Sequence, residues 1–189
     1  MRVWPLPYAV FVCCWFVAEM SLLVRDLVRR RTGRRDRGTR LLLALTFYVS
    51  IVLSWALPHR LSSLDLPGPR VLATAGLVVV WAGLALRIWA VATLGRSFRT
   101  FIDVDADQAV VRSGPYRWVR HPSYTGLLLI AFGFGLGSGN GLTLVASALI
   151  PVSAIMVRIA VEETELVRVL GEPYVDYQRS TRRLVPGLW

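Results

Sequence analysis

Lysine is absent from this 189-residue sequence, and all 22 of its basic residues are arginine. Charge of either sign is scarce, since charged residues make up 18% of the chain and hydrophobic residues 54%. Soluble domains have about 25% charged residues, so too few polar side chains remain here to cover the surface of an ordinary soluble domain. The apolar residues also occur in long runs, which indicates membrane spans.

The net charge of +10 does not indicate a nucleic-acid-binding protein. The arginines are concentrated beside the apolar runs, where such residues orient a membrane protein and contact anionic lipid. We therefore expect the lipid bilayer, and not nucleic acid, to be the partner of this charge. An arginine-only composition is typical of a GC-rich genome, which favours a bacterial plasma membrane.

Cysteine is limited to two residues, Cys13 and Cys14, which are adjacent in the first apolar run. Neighbouring residues of a helix point in different directions, so neither a disulfide nor a metal site is predicted there. Asp103, Asp105 and Asp107 alternate in a polar segment, for which a solvated loop is the default and a metal site the weaker alternative. The first apolar run is not a secretory signal, because an arginine-rich block follows it and no small-residue cleavage site stands out.

Five apolar stretches are predicted to cross the membrane. They are residues 4–24, 41–57, 71–94, 124–136 and 142–157. Eight arginines fall in residues 25–40, five in 95–123 and five in 158–189, against three in the segments on the other side: Arg2, Arg60 and Arg70. The positive-inside rule then places the N-terminus outside and the C-terminus in the cytoplasm.

The last two stretches are near the lower limit of a span, which is roughly 17–25 residues. They are separated by a turn at residues 137–141, so a tight helical hairpin is predicted, with close contacts allowed by Gly126, Gly133 and Gly135. A cytoplasmic helical segment follows, and its first helix is predicted to end at Gly171. The fold class is therefore an all-α integral membrane protein with about five transmembrane helices and a cytoplasmic C-terminal segment.

Two charged residues lie inside the predicted spans. Glu19 is costly in lipid, so it should face other helices or an interface, either paired with a nearby arginine or in a functional role. Arg87 lies near the cytoplasmic end of the third span, where it either snorkels to the interface or points into a polar cavity.

The segment 113–124 has the highest density of residues that could carry chemistry. His121 precedes a proline and should be extended, and Pro122 suits the first position of the following helix. The free amides at that helix start could hold an anion, with Tyr116, His121 and Tyr124 supplying hydrogen bonds and aromatic faces. The alternative is an interfacial belt of aromatic residues and arginines.

Arg158 and Glu162 are four residues apart and share one face of a predicted helix, with Glu163 next to them. Arginine before glutamate is the weaker order for a helical ion pair, which favours a role toward a ligand over an ordinary salt bridge. Glu165 falls off this face and is expected to be solvated.

These residues carry a family resemblance. Gly114-Pro-Tyr116, Arg120-His-Pro-Ser-Tyr124, Glu162-Glu163, Gly171-Glu-Pro-Tyr-Val-Asp-Tyr177 and Val185-Pro186 resemble the isoprenylcysteine carboxyl methyltransferase family. The resemblance extends back to Leu86-Arg-Ile-Trp-Ala90 and Leu94-Gly-Arg-Ser-Phe98, and covers about residues 76–186. The Arg-His-Pro-x-Tyr pattern is shared with phospholipid methyltransferases and partly with membrane sterol reductases.

The resemblance implies S-adenosylmethionine as cofactor, held in a cytoplasmic pocket under a membrane-embedded tunnel. The implied cofactor contacts are Gln108, Ala109, Val110, Val111, Tyr116, His121, Pro122, Ser123, Tyr124 and Glu162. Family members often have His where Gln108 stands, so at this position the backbone is the contact that could still serve. The resemblance also implies one domain over 1–189, with two N-terminal spans in 1–70 and the cofactor- and substrate-binding core in 71–189.

Arg158 matches a position near the substrate carboxylate and, with Glu162, is the predicted catalytic pair; Arg87 is the second predicted substrate contact. The implied reaction is methylation of a lipidic acceptor, either a small molecule or a prenylated peptide, at an isoprenylcysteine-like carboxylate. An ionised carboxylate needs alignment but no base. A phenol with a pKa of about 10 would need one, for which His121 or Glu162 would be the candidates.

Several other functions remain open on the sequence. They are O-methylation of a phenol or another lipid hydroxyl, phospholipid N-methylation, and an NADPH-dependent membrane reductase. The glycines at 133–141 are not a dinucleotide loop, because Ser138 and Asn140 break the pattern and no strand precedes it; that absence does not exclude a reductase. A transporter would place polar residues deep in the spans, which here are nearly free of charge.

Overall fold

The computed structural model describes residues 6–28, 38–102, 104 and 108–187. The described chain is built from α-helices and connecting segments, and these segments include three short 3₁₀-helices. The α-helices are α1 (Leu6–Val28), α2 (Thr39–Arg60), α3 (Pro69–Leu94), α4 (Pro122–Gly137), α5 (Gly141–Leu170) and α6 (Glu172–Ser180). An all-helical fold is thereby confirmed for the part of the chain that the structure describes.

Three of these helices are long and apolar enough to cross a membrane: α1, α3 and α5. α2 and α4 contribute shorter apolar segments, Thr39–Ser54 and Pro122–Gly137. These helices and the comparisons reported below make the chain a multi-pass membrane protein. The number of five crossings and the cytoplasmic position of the C-terminal segment remain predictions.

α5 is one continuous helix of 30 residues, which corrects the expectation that a span ending at residue 157 is followed by a separate helix. It starts at Asn140, whose side chain accepts a hydrogen bond from the amide of Thr143 at 3.2 Å, and it ends at Gly171, which has a φ of 62°. Pro151 lies inside the helix without ending it. Arg158 and Glu162 therefore belong to the same continuous helix as the apolar residues that precede them.

α4 packs most closely on α3, through glycines spaced seven residues apart on each helix. A Cβ atom on Gly83 would lie 2.6 Å from the carbonyl oxygen of Gly126, and one on Gly76 would lie 2.5 Å from that of Gly133. Gly126 and Gly133 therefore allow a close helix contact, as predicted, and the helix that they contact is α3. Gly135 does face α5, where a Cβ atom would lie 2.9 Å from that of Ser147.

α1 is attached to the rest of the protein by aromatic packing at its N-terminal half. The Phe11 ring packs edge-on against Trp81 and Phe134, with ring centroids 5.3 and 5.7 Å apart. Trp15 and Phe47 have ring centroids 5.9 Å apart and join α1 to α2. The cavity described below lies between α1 and α2, on the side of the polar ends of these two helices.

The segment after α6 returns to the start of α4. The amide of Arg120 donates to the carbonyl of Arg182 at 2.7 Å, and that of His121 donates to the carbonyl of Arg183 at 2.9 Å. The Thr125 hydroxyl donates to the carbonyl of Leu184 at 2.7 Å. His121 has a φ of −125° and a ψ of 54°, so the residue before Pro122 lies outside the helical region but is not fully extended, which corrects the expectation of an extended residue. Its amide still pairs with this returning segment.

Candidate active site

A cavity of about 570 Å³ lies between α1, α2, α3, α5 and the segment that joins α3 to α4. Its apolar end is lined by α1 and α2, with Val12, Trp15, Phe16, Phe47, Tyr48 and Ile51. Phe16 and Tyr48 are 60% and 67% exposed, so this end opens on the apolar outer surface. Its polar end is lined by residues from 97–102, 104 and 108–124 and from α5.

Nine of the ten residues predicted to contact the cofactor line this cavity. They are Gln108, Ala109, Val110, Val111, Tyr116, His121, Ser123, Tyr124 and Glu162. The tenth, Pro122, is buried at the first position of α4 and does not line the cavity. The predicted substrate residues Arg87 and Arg158 line the same cavity. One cavity therefore contains residues predicted to bind the cofactor, to bind the substrate and to act in catalysis.

Tyr124 connects the two residues of the predicted catalytic pair. Its hydroxyl donates to Oε2 of Glu162 at 2.6 Å and accepts a hydrogen bond from Nε of Arg158 at 2.7 Å. Arg158 and Glu162 share a helix face, as their spacing predicted, but they meet through this phenol rather than in a simple helical salt bridge. The arrangement fixes the side chains of α5 against the start of α4.

Arg158 is 4% exposed and is held from two further sides. Its Nη1 donates to the Thr39 hydroxyl at 3.0 Å, and its Nη2 donates to the carbonyl of Thr100 at 2.8 Å. The side chain is thus oriented by α2, by α4 and by the segment after α3. A guanidinium held in this way keeps its full charge at the polar end of the cavity, because arginine does not deprotonate in proteins.

Arg87 points into the protein and is 7% exposed. Its Nε and Nη2 donate to the two carboxylate oxygens of Glu19 at 2.5 and 2.8 Å, and its Nη1 donates to the Ser123 hydroxyl at 2.6 Å. Of the alternatives left open by the sequence, the structure has Arg87 in the polar interior and Glu19 paired with it. The two charges balance each other where α1, α3 and α4 meet.

Glu163 is also part of the site, although no role was predicted for it. Its Oε1 accepts from Nε of Arg120 at 2.8 Å and lies 3.2 Å from Nε2 of His121, and its Oε2 accepts from Nε of Arg183 at 3.0 Å. The His121 ring stacks on Tyr124 with centroids 5.6 Å apart. Glu163 therefore fixes both the segment before α4 and the returning C-terminal segment. The signal for it was present, since the Glu162-Glu163 pair supplies two adjacent carboxylates in an arginine-rich chain.

The buried tyrosines near the polar end stay neutral at physiological pH. Burial, and secondarily the negative charge of Glu162, raises the pKa of Tyr116 far above its ordinary value, and burial raises the pKa of Tyr177 to about 12. The Tyr177 hydroxyl donates a hydrogen bond to the carbonyl of Tyr116 at 2.6 Å. Tyr116 can therefore act as a hydrogen-bond donor in the cavity but not as a base.

The three aspartates considered as a weak metal site, Asp103, Asp105 and Asp107, lie outside the described residues. Within the described ranges, no group of three or more potential metal-ligating side chains is close enough to hold a metal ion. Cys13 and Cys14 are free and exposed on α1.

The helical fold and the cavity define a class, that of multi-pass membrane proteins with a polar site reached from an apolar surface. The fold matches a solved structure of the eukaryotic intramembrane Ras methyltransferase, an isoprenylcysteine carboxyl methyltransferase, with a TM-score of 0.67, 23% identity, 99% of this chain covered and 70% of that one. The model of the isoprenylcysteine carboxyl methyltransferase family matches residues 75–168.

Curated relatives agree with this match. The chain is 31% identical over 159 residues to a probable protein-S-isoprenylcysteine O-methyltransferase of Oryza sativa subsp. indica, with 82% of this chain and 83% of that protein covered. It is 32% identical over 117 residues to the protein-S-isoprenylcysteine O-methyltransferase of Tribolium castaneum, where 61% of this chain and only 42% of the relative are covered. The chain belongs to the isoprenylcysteine carboxyl methyltransferase family, which confirms the resemblance noted in the sequence.

Proposed function

We propose that the chain transfers a methyl group from S-adenosylmethionine to the carboxylate of a lipidic acceptor of the isoprenylcysteine type. The observation that carries this proposal is a cavity that has both an apolar end, between α1 and α2, and a polar end, at Arg158 and Glu162. A lipid chain and a charged head group can be held in it together. Family membership supports the same reaction.

The side chains at the polar end fit the proposed cofactor by their chemistry. A carboxylate, Glu162, can accept from an ammonium group, and the rings of Tyr116 and Tyr124 can attract a cationic sulfur. The cavity volume of about 570 Å³ falls within the range of pockets for small molecules. His121, Ser123 and the backbone of 108–111 complete the proposed contacts. When bound, this cofactor supplies an electrophilic methyl group on a sulfonium.

Arg158 is proposed to orient the acceptor. Its orientation is set in advance by Tyr124, Thr39 and Thr100, so little order has to be gained when a carboxylate binds. A charged guanidinium is well suited to a carboxylate, which is already ionised near neutral pH and needs no base. A site with little water favours a step in which opposite charges cancel.

Arg87 is a weaker candidate for the acceptor than the sequence suggested, because both carboxylate oxygens of Glu19 already accept from it. Its bond to Ser123 makes it a support for the start of α4. We therefore propose that Arg158 binds the acceptor. Arg87 instead positions the start of α4, which carries proposed cofactor contacts.

A phenolic acceptor is less favoured than a carboxylate. Such an acceptor needs a base, yet Nε2 of His121 is occupied by Glu163, and Glu162 accepts from Tyr124. The discriminating measurement is the rate of methylation against pH from 6 to 9. We expect a flat profile for a carboxylate, whereas a rate that rises tenfold per pH unit would identify a phenol.

The proposal is tested by binding and turnover in detergent or nanodiscs. We expect radiolabelled S-adenosylmethionine to bind the wild type and to bind His121→Ala and Glu162→Ala at least about tenfold more weakly, the cost of losing a hydrogen bond to a charged group. N-acetyl-S-farnesylcysteine should be methylated, while its methyl ester should not. Unchanged affinity in both variants would show that His121 and Glu162 do not bind the cofactor. Stabilisation by NADPH but not by S-adenosylhomocysteine would instead favour the reductase.

A further inference from the structure

α1 lies outside the segment 75–168 that the family model matches, yet it carries a buried acid at its polar end. Asp26 is 1% exposed. A buried carboxylate is costly unless it is hydrogen-bonded, so its partners show what it stabilises. Asp26 does not line the cavity, and any effect on the site must therefore pass through those partners.

The partners of Asp26 lie in the segment that follows α3. Its Oδ2 accepts from the amide of Thr100 at 2.6 Å and from the hydroxyl of Thr100 at 2.7 Å. The neighbouring Arg25 donates from Nη2 to the carbonyl of Phe98 at 2.8 Å. Hydrogen bonds to an ionised acceptor are the short and strong ones, so the end of α1 fixes the backbone of 98–100.

Thr100 in turn holds the proposed acceptor-binding arginine. Its carbonyl accepts from Nη2 of Arg158 at 2.8 Å. A continuous path of hydrogen bonds therefore joins Asp26 to Arg158 through a single residue. We propose that Asp26 is a positioning residue for the transfer reaction, which acts by holding Thr100 so that its carbonyl orients Arg158. This inference rests on the proposed role of Arg158 in binding the acceptor.

The test is Asp26→Asn, which keeps the side-chain shape and removes the charge. With N-acetyl-S-farnesylcysteine as acceptor, kcat/KM should fall on the order of ten- to a hundredfold, the scale of a small misplacement of an orienting group. The Kd for S-adenosylhomocysteine should change much less, by about twofold at most, because the path from Asp26 reaches Arg158 first and the proposed cofactor contacts Tyr124 and Glu162 only through the further bond of Arg158 to Tyr124. A purely structural role would weaken both ligands together.

Asp65→Asn is the matched control, since Asp65 accepts from Asn140 at the opposite end of the helices, and its kcat/KM should equal that of the wild type. If Asp26→Asn does not fold, Thr100→Val removes one of the two bonds to Asp26 and should lower kcat/KM severalfold with unchanged S-adenosylhomocysteine binding. Unchanged kcat/KM in the folded variant, or equal losses for both ligands, overturns the proposal.

A double-mutant cycle separates this inference from the function on which it rests. If Asp26 acts through Arg158, Asp26→Asn should cost little in an Arg158→Gln background. Additive losses overturn the positioning role while leaving the function of Arg158 intact. Full activity of Arg158→Gln alone overturns the proposed function, and the positioning role with it.

Discussion

Glu163 joins three cationic or titratable side chains that belong to two distant segments of the chain. Glu163→Gln would leave Arg120 and Arg183 without the carboxylate that balances them, and removing one partner of a buried ion pair costs about 3–5 kcal/mol. We expect the free energy of unfolding in mild detergent to fall by this amount. S-adenosylhomocysteine should also bind more weakly, because the oxygen that contacts His121 loses its negative charge.

The matched control for this change is Asp176→Asn. Asp176 pairs with Arg179 at 2.9 Å, but the two side chains are 57% and 70% exposed, and exposed pairs contribute about 0–1 kcal/mol. If both variants unfold at the same denaturant concentration as the wild type, Glu163 does not stabilise the returning C-terminal segment.

Tyr124 tests whether the link between Arg158 and Glu162 matters for turnover. Tyr124→Phe keeps the ring but removes the hydroxyl that contacts both side chains, so each loses a charge-assisted hydrogen bond of about 1.5–3 kcal/mol. We expect kcat/KM for N-acetyl-S-farnesylcysteine to fall at least about tenfold. Tyr8→Phe loses a structural bond to the carbonyl of Ala73 and should turn over normally; equal losses in both variants would contradict the link.

Single residues also show where sequence reasoning stopped. Spacing along a helix predicted that Arg158 and Glu162 share a face, but a helix spacing cannot reveal that Tyr124 stands between them. Glu162 and Glu163 are adjacent and differ by about 100° around the helix. Which one faces the cavity and which one faces Arg120 depends on the packing of α5 against α4, and that information is not local in the sequence.

At the scale of elements, the contact between α3 and α4 depends on glycine. Gly83→Ala would place a Cβ atom 2.6 Å from the carbonyl of Gly126, where backbone must move, and overpacking of this kind costs about 1–3 kcal/mol. Because Arg87 is one turn further along α3, its bond to Ser123 should lengthen. We expect lower thermal stability together with weaker S-adenosylhomocysteine binding.

Gly141→Ala is the control for this helix contact. A Cβ atom there would meet its nearest neighbour at an ordinary 3.6 Å, and alanine is favoured over glycine in a helix by about 1 kcal/mol. The variant should be as stable as the wild type or slightly more stable. A Gly83→Ala protein with an unchanged unfolding midpoint would show that α3 and α4 have room to separate.

The positions of the helices were easier to predict from the sequence than the contacts between them. Apolar runs, the proline at the start of α4 and Gly171 at the end of α5 mark the elements correctly, since these signals are local. One expectation failed, because α5 continues past residue 157 into the polar region. The sequence also did not indicate that Gly126 and Gly133 face α3. Helix packing and not composition decides which face is buried and how far a helix extends.

The whole molecule has two chemically different ends. At the end that contains the polar side of the cavity, the end of α1 (Asp26), the start of α2 (Thr39) and the middle of α5 (Arg158) lie close together. At the opposite end, the turns after α2 and α4 meet, with the amide of Leu66 donating to the carbonyl of Gly139 at 2.8 Å. Each of the first four helices therefore runs from one end to the other.

Which of these ends faces the cytoplasm remains a prediction, in which the arginine-rich segments and the site are cytoplasmic and the N-terminus lies outside. We expect a fluorescent-protein fusion at the C-terminus to fluoresce in bacteria, and alkaline phosphatase inserted at residues 61–68 to be active, because that enzyme requires the periplasm. Fusions after Arg40 serve as the cytoplasmic control. Active phosphatase at the C-terminus would place the polar end of the cavity outside, where no supply of a cytoplasmic methyl donor reaches it, and would contradict the orientation and the proposed reaction together.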